Sequence, residues 1–124
     1  MEKKIILAID DNVVQLRSFN ELLVPRYDLR VAKSASEALH FLNAHTADII
    51  LLDIEMPNIS GFEFLKDIRR IPSYIDKPII IVSGNTGVDF LTKARNSSAA
   101  DVLSKPVTQE TLIATIEKVL GKKP

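Results

Sequence analysis

The 124-residue chain has no cysteine, which excludes disulfides, thiol catalysis and cysteine-based zinc sites. It carries no net charge, because 16 Lys and Arg offset 16 Asp and Glu. That removes the main electrostatic reason to expect direct contact with nucleic acid or a membrane surface. Long hydrophobic runs are missing too. The longest apolar stretch is about five or six residues, against roughly 20 for a membrane span. No Gly-x-Gly-x-x-Gly turn follows any apolar run, which argues against a nucleotide or flavin carrier. There is no linker, low-complexity tract or internal repeat. Met1-Glu2-Lys3-Lys4 leads straight into an apolar run with no signal-peptide pattern, so a cytoplasmic location is expected.

What remains is an ordinary globular composition, 46% apolar. Residues 1–124 are expected to form one domain with a core of its own. Lys4–Ile9 runs into Asp10-Asp11, Asp48–Leu52 into Asp53, and Pro78–Val82 into Ser83. A weaker run, Asp101–Ser104, ends in Lys105-Pro106. Leu29–Ala32 reads as a short alternating strand.

Segments of helical period lie between these runs. The first covers Asn12–Leu23, with Leu16, Phe19 and Leu23 on one face and Pro25 beyond its end. The second is expected to be capped by Ser36 and to carry Leu39 and Leu42 inward. The third opens at Gly61, turns Phe62, Leu65 and Ile68 inward, and ends before Pro72. A fourth covers Val88–Asn96. The last is capped by Thr108, carries Leu112, Ile116, Val119 and Leu120, and stops at Gly121. Alternating strands and helices imply an α/β protein, a doubly wound, five-stranded parallel sheet with five helices on both faces. Strands one, three and four are apolar throughout, as interior parallel strands must be. Strands two and five suit the edges, giving the order 2-1-3-4-5 and a crevice outside the carboxyl ends of strands one and three.

That crevice would gather Asp10, Asp11 and Asp53. Packed carboxylates repel one another, and a divalent cation removes the penalty. Mg²⁺ suits such an oxygen-rich set and takes phosphate oxygens readily, with Mn²⁺ an alternative. Alone, the acidic pair could equally be a helix cap. Asp53 is the candidate nucleophile, since a carboxylate can hold a phosphoryl group as an acyl phosphate. The loop from Ile54 to Gly61 is rich in turn residues and presents backbone oxygens. Glu55 is expected to act through its carbonyl, its side chain turned to solvent. Ser83 offers a hydroxyl to a phosphoryl oxygen, and Lys105 an ammonium to neutralise its charge. His40 and His45 lie far from these landmarks and read as surface and loop residues.

Together these residues resemble the receiver domain of a two-component response regulator. The carrying features are Asp10-Asp11, the Asp-x-x-Met-Pro-x-x-x-Gly stretch from Asp53 to Gly61, Ser83 and Lys105-Pro106. The likeness spans Lys4 to about Leu120 and implies a flavodoxin-like, CheY-like fold. It implies that Asp53 accepts a phosphoryl group from a sensor histidine kinase or phosphotransfer protein. Asp10, Asp11, Asp53 and the Glu55 carbonyl would bind Mg²⁺. Ser83 and Lys105 would contact phosphoryl oxygens across a cis Lys105-Pro106 bond. Glu55 and Asn85 sit where relatives tune the lifetime of the phosphoryl group. The family's usual inward-turning aromatic is Val102 here, so the switch region of Ser83 and Val102 lacks a ring, and the position after Lys-Pro is Val107.

The resemblance implies a signalling module with no output domain in this chain. It would assist its own phosphorylation and dephosphorylation without turning over external substrates. A downstream protein would read the face of helix 4, strand 5 and helix 5. A phosphatase of the haloacid dehalogenase class is a rival, but it would want Asp where Glu55 stands. A binding module that never uses phosphorylation is another, suggested by Val102 and opposed by the complete set of charged landmarks.

Overall fold

The computed structural model describes residues 3–56 and 60–121. Strands and helices alternate as β1 (Ile5–Ile9), α1 (Val13–Leu23), β2 (Asp28–Ala32), α2 (Ala35–Ala44), β3 (Ile49–Asp53), α3 (Gly61–Arg69), β4 (Ile79–Ser83), α4 (Val88–Arg95), β5 (Asp101–Ser104) and α5 (Gln109–Gly121). A short 3-10 turn, Pro72–Tyr74, precedes β4. The strands are all parallel, in the order β2-β1-β3-β4-β5. Order, direction and the interior placement of β1, β3 and β4 are those expected from the apolar runs.

The period of two along each strand builds two core layers. Leu7, Ile9, Ile50, Leu52, Ile79 and Ile81 face the side covered by α2, α3 and α4. Ile6, Ala8, Ile49, Leu51, Ile80 and Val82 face Leu16 and Phe19 of α1 and Leu112 and Ile116 of α5. Every residue of β3 and β4 is buried. The last residues of those strands, Asp53 and Ser83, are therefore buried by the backbone that precedes them.

Several local expectations shift. Ser34, not Ser36, caps α2, with its Oγ accepting from the Glu37 N–H. Glu37 reaches back to the Lys33 N–H, a reciprocal pairing that Ser36 could not make. Asn12 lies outside α1 as its cap, accepting from the Val14 and Gln15 N–H groups. In α3 the buried aromatic is Phe64. Phe62 is only half-buried, against the Phe90 ring and under Lys93 Nζ. The alternation expected of β2 fails at Val31, which is half exposed on the sheet edge. β3 starts one residue late, at Ile49, and the Asp48 carboxylate before it accepts the Ile5 N–H. Gly121 is itself helical, the last residue of α5 among the described residues.

Candidate functional site: an acidic pocket at the carboxyl edge of the sheet

β1 and β3 are paired in register, Ile9 against Leu52, so their carboxyl ends sit side by side. Asp10 follows β1 and Asp53 closes β3. One oxygen from each of Asp10, Asp11 and Asp53 lies within 4.8 Å of the other two. Asp10 and Asp53 are buried, 1% and 4% exposed, while Asp11 faces solvent. β5 ends on the far side of β4 and delivers Lys105 over the same pocket. Its Nζ is 3.1 Å from Asp10 Oδ2 and 3.6 Å from Asp53 Oδ1. The Lys105–Pro106 bond is cis.

Backbone donors hold the two buried carboxylates in place. The Asn12 N–H donates to Asp10 Oδ1 over 2.9 Å, and the Glu55 N–H to Asp53 Oδ1 over 3.1 Å. Burial pushes the Asp53 carboxyl up to about 6, with the Asp10 charge adding to the rise. The Glu55 N–H and the Lys105 ammonium pull the other way without cancelling it. A clustered, half-compensated set of hard oxygen donors fits a small divalent cation, which prefers carboxylate and carbonyl oxygens.

Gly61 matters for the loop after Asp53. A Cβ there would lie 2.5 Å from the Ile54 Cα and 2.6 Å from its carbonyl oxygen. Only glycine lets the start of α3 pass so close to the strand end. Met56 is buried. The Pro57-Asn58-Ile59 part of the expected motif lies outside the described residues.

Glu55 is exposed, as expected of a side chain that can swing to solvent, but its carboxylate also has a partner in the site. Its Oε1 accepts a 2.8 Å hydrogen bond from Ser83 Oγ. Ser83 Oγ in turn accepts from the Asn85 N–H over 3.0 Å. Asn85 Oδ1 accepts from the Gly87 N–H over 2.9 Å. Val102 is half-buried, opposite Ile81 in the sheet and packed into the layer under α4. A cavity of about 320 Å³ lies beside it, bordered by Leu91, Ala94 and Arg95 of α4. His40 and His45 are exposed and take no part in the acidic group. Asn12 and the Glu55 carboxylate are the pocket residues that sequence reasoning missed. A polar residue two positions past each strand-end Asp was the available signal.

A doubly wound sheet with an acidic, lysine-capped pocket at its switch point defines a class of α/β signalling domains. Residues 6–117 match the family described as response regulator receiver domain, and the chain belongs to that family. It is 34% identical over 105 residues to the two-component response regulator ARR18 of Arabidopsis thaliana, covering 82% of this chain and 16% of that protein. It is 32% identical over 111 residues to the CAI-1 autoinducer sensor kinase/phosphatase CqsS of Vibrio cholerae, covering 87% of this chain and 16% of that protein. The chain thus spans a minor part of the curated relatives it matches. Among solved structures, the Vibrio cholerae chemotaxis protein CheY4 superposes with a TM-score of 0.85 at 29% identity, covering 94% of this chain and 98% of that one. A CheY-like receiver domain from Methanospirillum hungatei gives 0.86 at 26% identity, over 96% and 94% of the two chains. No helix among the described residues is long and apolar enough to cross a membrane.

Proposed function

We propose that residues 1–124 act as one receiver unit that accepts a phosphoryl group on Asp53 from a phosphohistidine of a sensor kinase or phosphotransfer protein. The observation that carries this reading is the meeting of three carboxylates within 4.8 Å under a lysine 3.6 Å from Asp53. Asp10, Asp11, Asp53 and the Glu55 carbonyl would hold Mg²⁺, or Mn²⁺ in its place. Bound there, the cation would screen the carboxylates from the incoming phosphoryl group. An Asp53 carboxylate oxygen attacks phosphorus as the P–N bond to the donor imidazole breaks. The imidazole leaves with the bonding pair and takes up a proton. Lys105 then turns from the carboxylates to a phosphoryl oxygen, and Ser83 donates its hydroxyl proton to another.

The consequence is a change of partner binding. Charge on Asp53 draws Ser83 and Lys105, which end β4 and precede α5, and so shifts the surface of α4, β5 and α5. With Val102 in place of an aromatic, the movement of Ser83 and its loop carries the signal without a ring. Loss of the phosphoryl group to water would be assisted by the same pocket, and Glu55 and Asn85 stand where they would set its rate. Acetyl phosphate or beryllofluoride with Mg²⁺ is expected to modify the wild type and not Asp53→Asn. Equal modification of both proteins overturns the assignment.

A further inference from the structure

We infer that Glu55 is a positioning residue that acts on phosphoryl capture through Ser83, as a latch that holds the hydroxyl in the unphosphorylated state. The inference rests on the function proposed above and adds a specific competition to it. A serine hydroxyl has one proton to donate. Here that proton goes to Glu55 Oε1, over 2.8 Å. The lone-pair side of the same oxygen is occupied by the Asn85 N–H at 3.0 Å. Ser83 is 1% exposed, so no water replaces either partner freely. Phosphoryl oxygens accept hydrogen bonds and cannot donate them. Ser83 can therefore serve a phosphoryl group on Asp53 only by breaking its bond to Glu55.

Glu55 is well placed for this competition. Its backbone N–H holds Asp53 Oδ1 while its side chain holds Ser83 Oγ. One residue thus ties the acceptor carboxylate to the hydroxyl that would stabilise the product. The backbone bond does not depend on the side chain, so truncating Glu55 removes the latch and leaves the Asp53 contact. Glu55 itself is exposed, and its freed carboxylate can turn to water without a burial cost. Capture of the phosphoryl group then exchanges one hydrogen bond of Ser83 for another and releases Glu55 outward. The latch makes the unphosphorylated state the resting one and weakens the hold on the phosphoryl group.

The test is a double-mutant cycle read by the binding of beryllofluoride with Mg²⁺ to wild type, Glu55→Ala, Ser83→Ala and the double variant. Such a cycle isolates the pairwise contribution of the two side chains. Glu55→Ala is expected to tighten binding about three- to tenfold, the net worth of one hydrogen bond. In the Ser83→Ala background the same change should shift binding by less than about twofold. An equal tightening in both backgrounds overturns the latch, because Glu55 would then act by charge alone. Glu55→Gln keeps the acceptor oxygen without the charge. It should keep part of the weakening while Ser83 is present and none when Ser83 is replaced by alanine. A wild type that binds no beryllofluoride would instead overturn the proposed function itself.

Discussion

Lys105 Nζ rests closer to Asp10 Oδ2, at 3.1 Å, than to Asp53 Oδ1, at 3.6 Å. The lysine therefore compensates the pair of buried carboxylates jointly and leans on the one that is not the proposed acceptor. Removing it as Lys105→Met leaves both buried carboxylates without their cation. Breaking a fully buried pair costs about 3–5 kcal/mol. Lys105 is 24% exposed, so a smaller loss of about 1–3 kcal/mol is expected in chelator at neutral pH. Added Mg²⁺ should recover most of it. Urea unfolding with and without the metal checks this.

Asp53 makes a pH-dependent contribution of definite sign. Its carboxyl is pushed up from 3.8 to about 6 in the folded protein. Between those values the folded state binds more protons than the unfolded chain. The group's contribution to stability is complete below the window and is lost as pH rises through it. Without metal, wild type should lose stability relative to Asp53→Asn between about pH 4 and 6. At pH 7 the variant should be the more stable by about 1–3 kcal/mol, at roughly 1.4 kcal/mol per unit. Denaturation curves of both proteins at several pH values give the difference directly, and carboxylates remote from the pocket cancel from it.

Asp11 separates metal binding from folding. It faces solvent, whereas Asp10 and Asp53 are buried. Asp11→Ala should leave the metal-free stability within about 0.5 kcal/mol. It should weaken Mg²⁺ more than the roughly 10–100-fold that loss of an outer-shell partner costs. Titration calorimetry reads the affinity. The rise in melting temperature with Mg²⁺ concentration, expected for any ligand of the folded state alone, should be displaced to Mg²⁺ concentrations higher by the same factor.

Gly61→Ala should distort the loop beyond Asp53. The added methyl group would stand 2.5 Å from the Ile54 Cα, and backbone cannot swing aside as a side chain can. A loss of about 1–3 kcal/mol is expected, as for other overpacked sites. Amide chemical-shift changes should centre on Ile54 and Glu55, and Mg²⁺ binding should weaken with them.

Tyr74 offers a control outside the pocket. Its buried hydroxyl donates to the His45 carbonyl over 2.6 Å and accepts the Ala47 N–H over 3.0 Å. Tyr74→Phe should cost about 1–3 kcal/mol by leaving both backbone groups unpaired. Phosphoryl transfer to Asp53 should be unchanged.

Much of the fold was legible because interior parallel strands must be apolar on both faces. That rule picked out β1, β3 and β4 and pushed β2 and β5 to the edges, where they are found. It also brought the strand-end residues to one edge, and one oxygen each of Asp10, Asp11 and Asp53 does meet there. Cap positions were less legible. Ser34 and Ser36 are equivalent in type and differ only in which can exchange partners with Glu37 and its neighbours. The choice of Phe64 over Phe62 depended on the rotation of α3 against the sheet, and two aromatics two residues apart leave that open to periodicity.

The chain's own pattern of apolar runs and charged strand ends determined the layout, the acidic edge and the identity of the pocket's carboxylates. These follow from local rules, since each run must be buried on both faces and each charge must then sit at its end. Tertiary structure alone decided where individual protons and charges rest. It set Lys105 nearer Asp10 than Asp53, and it gave the Ser83 hydroxyl to the exposed Glu55 carboxylate. Contacts between residues 28 and 95 positions apart depend on rotamers and distances of a few tenths of an ångström. No periodicity along the sequence encodes those.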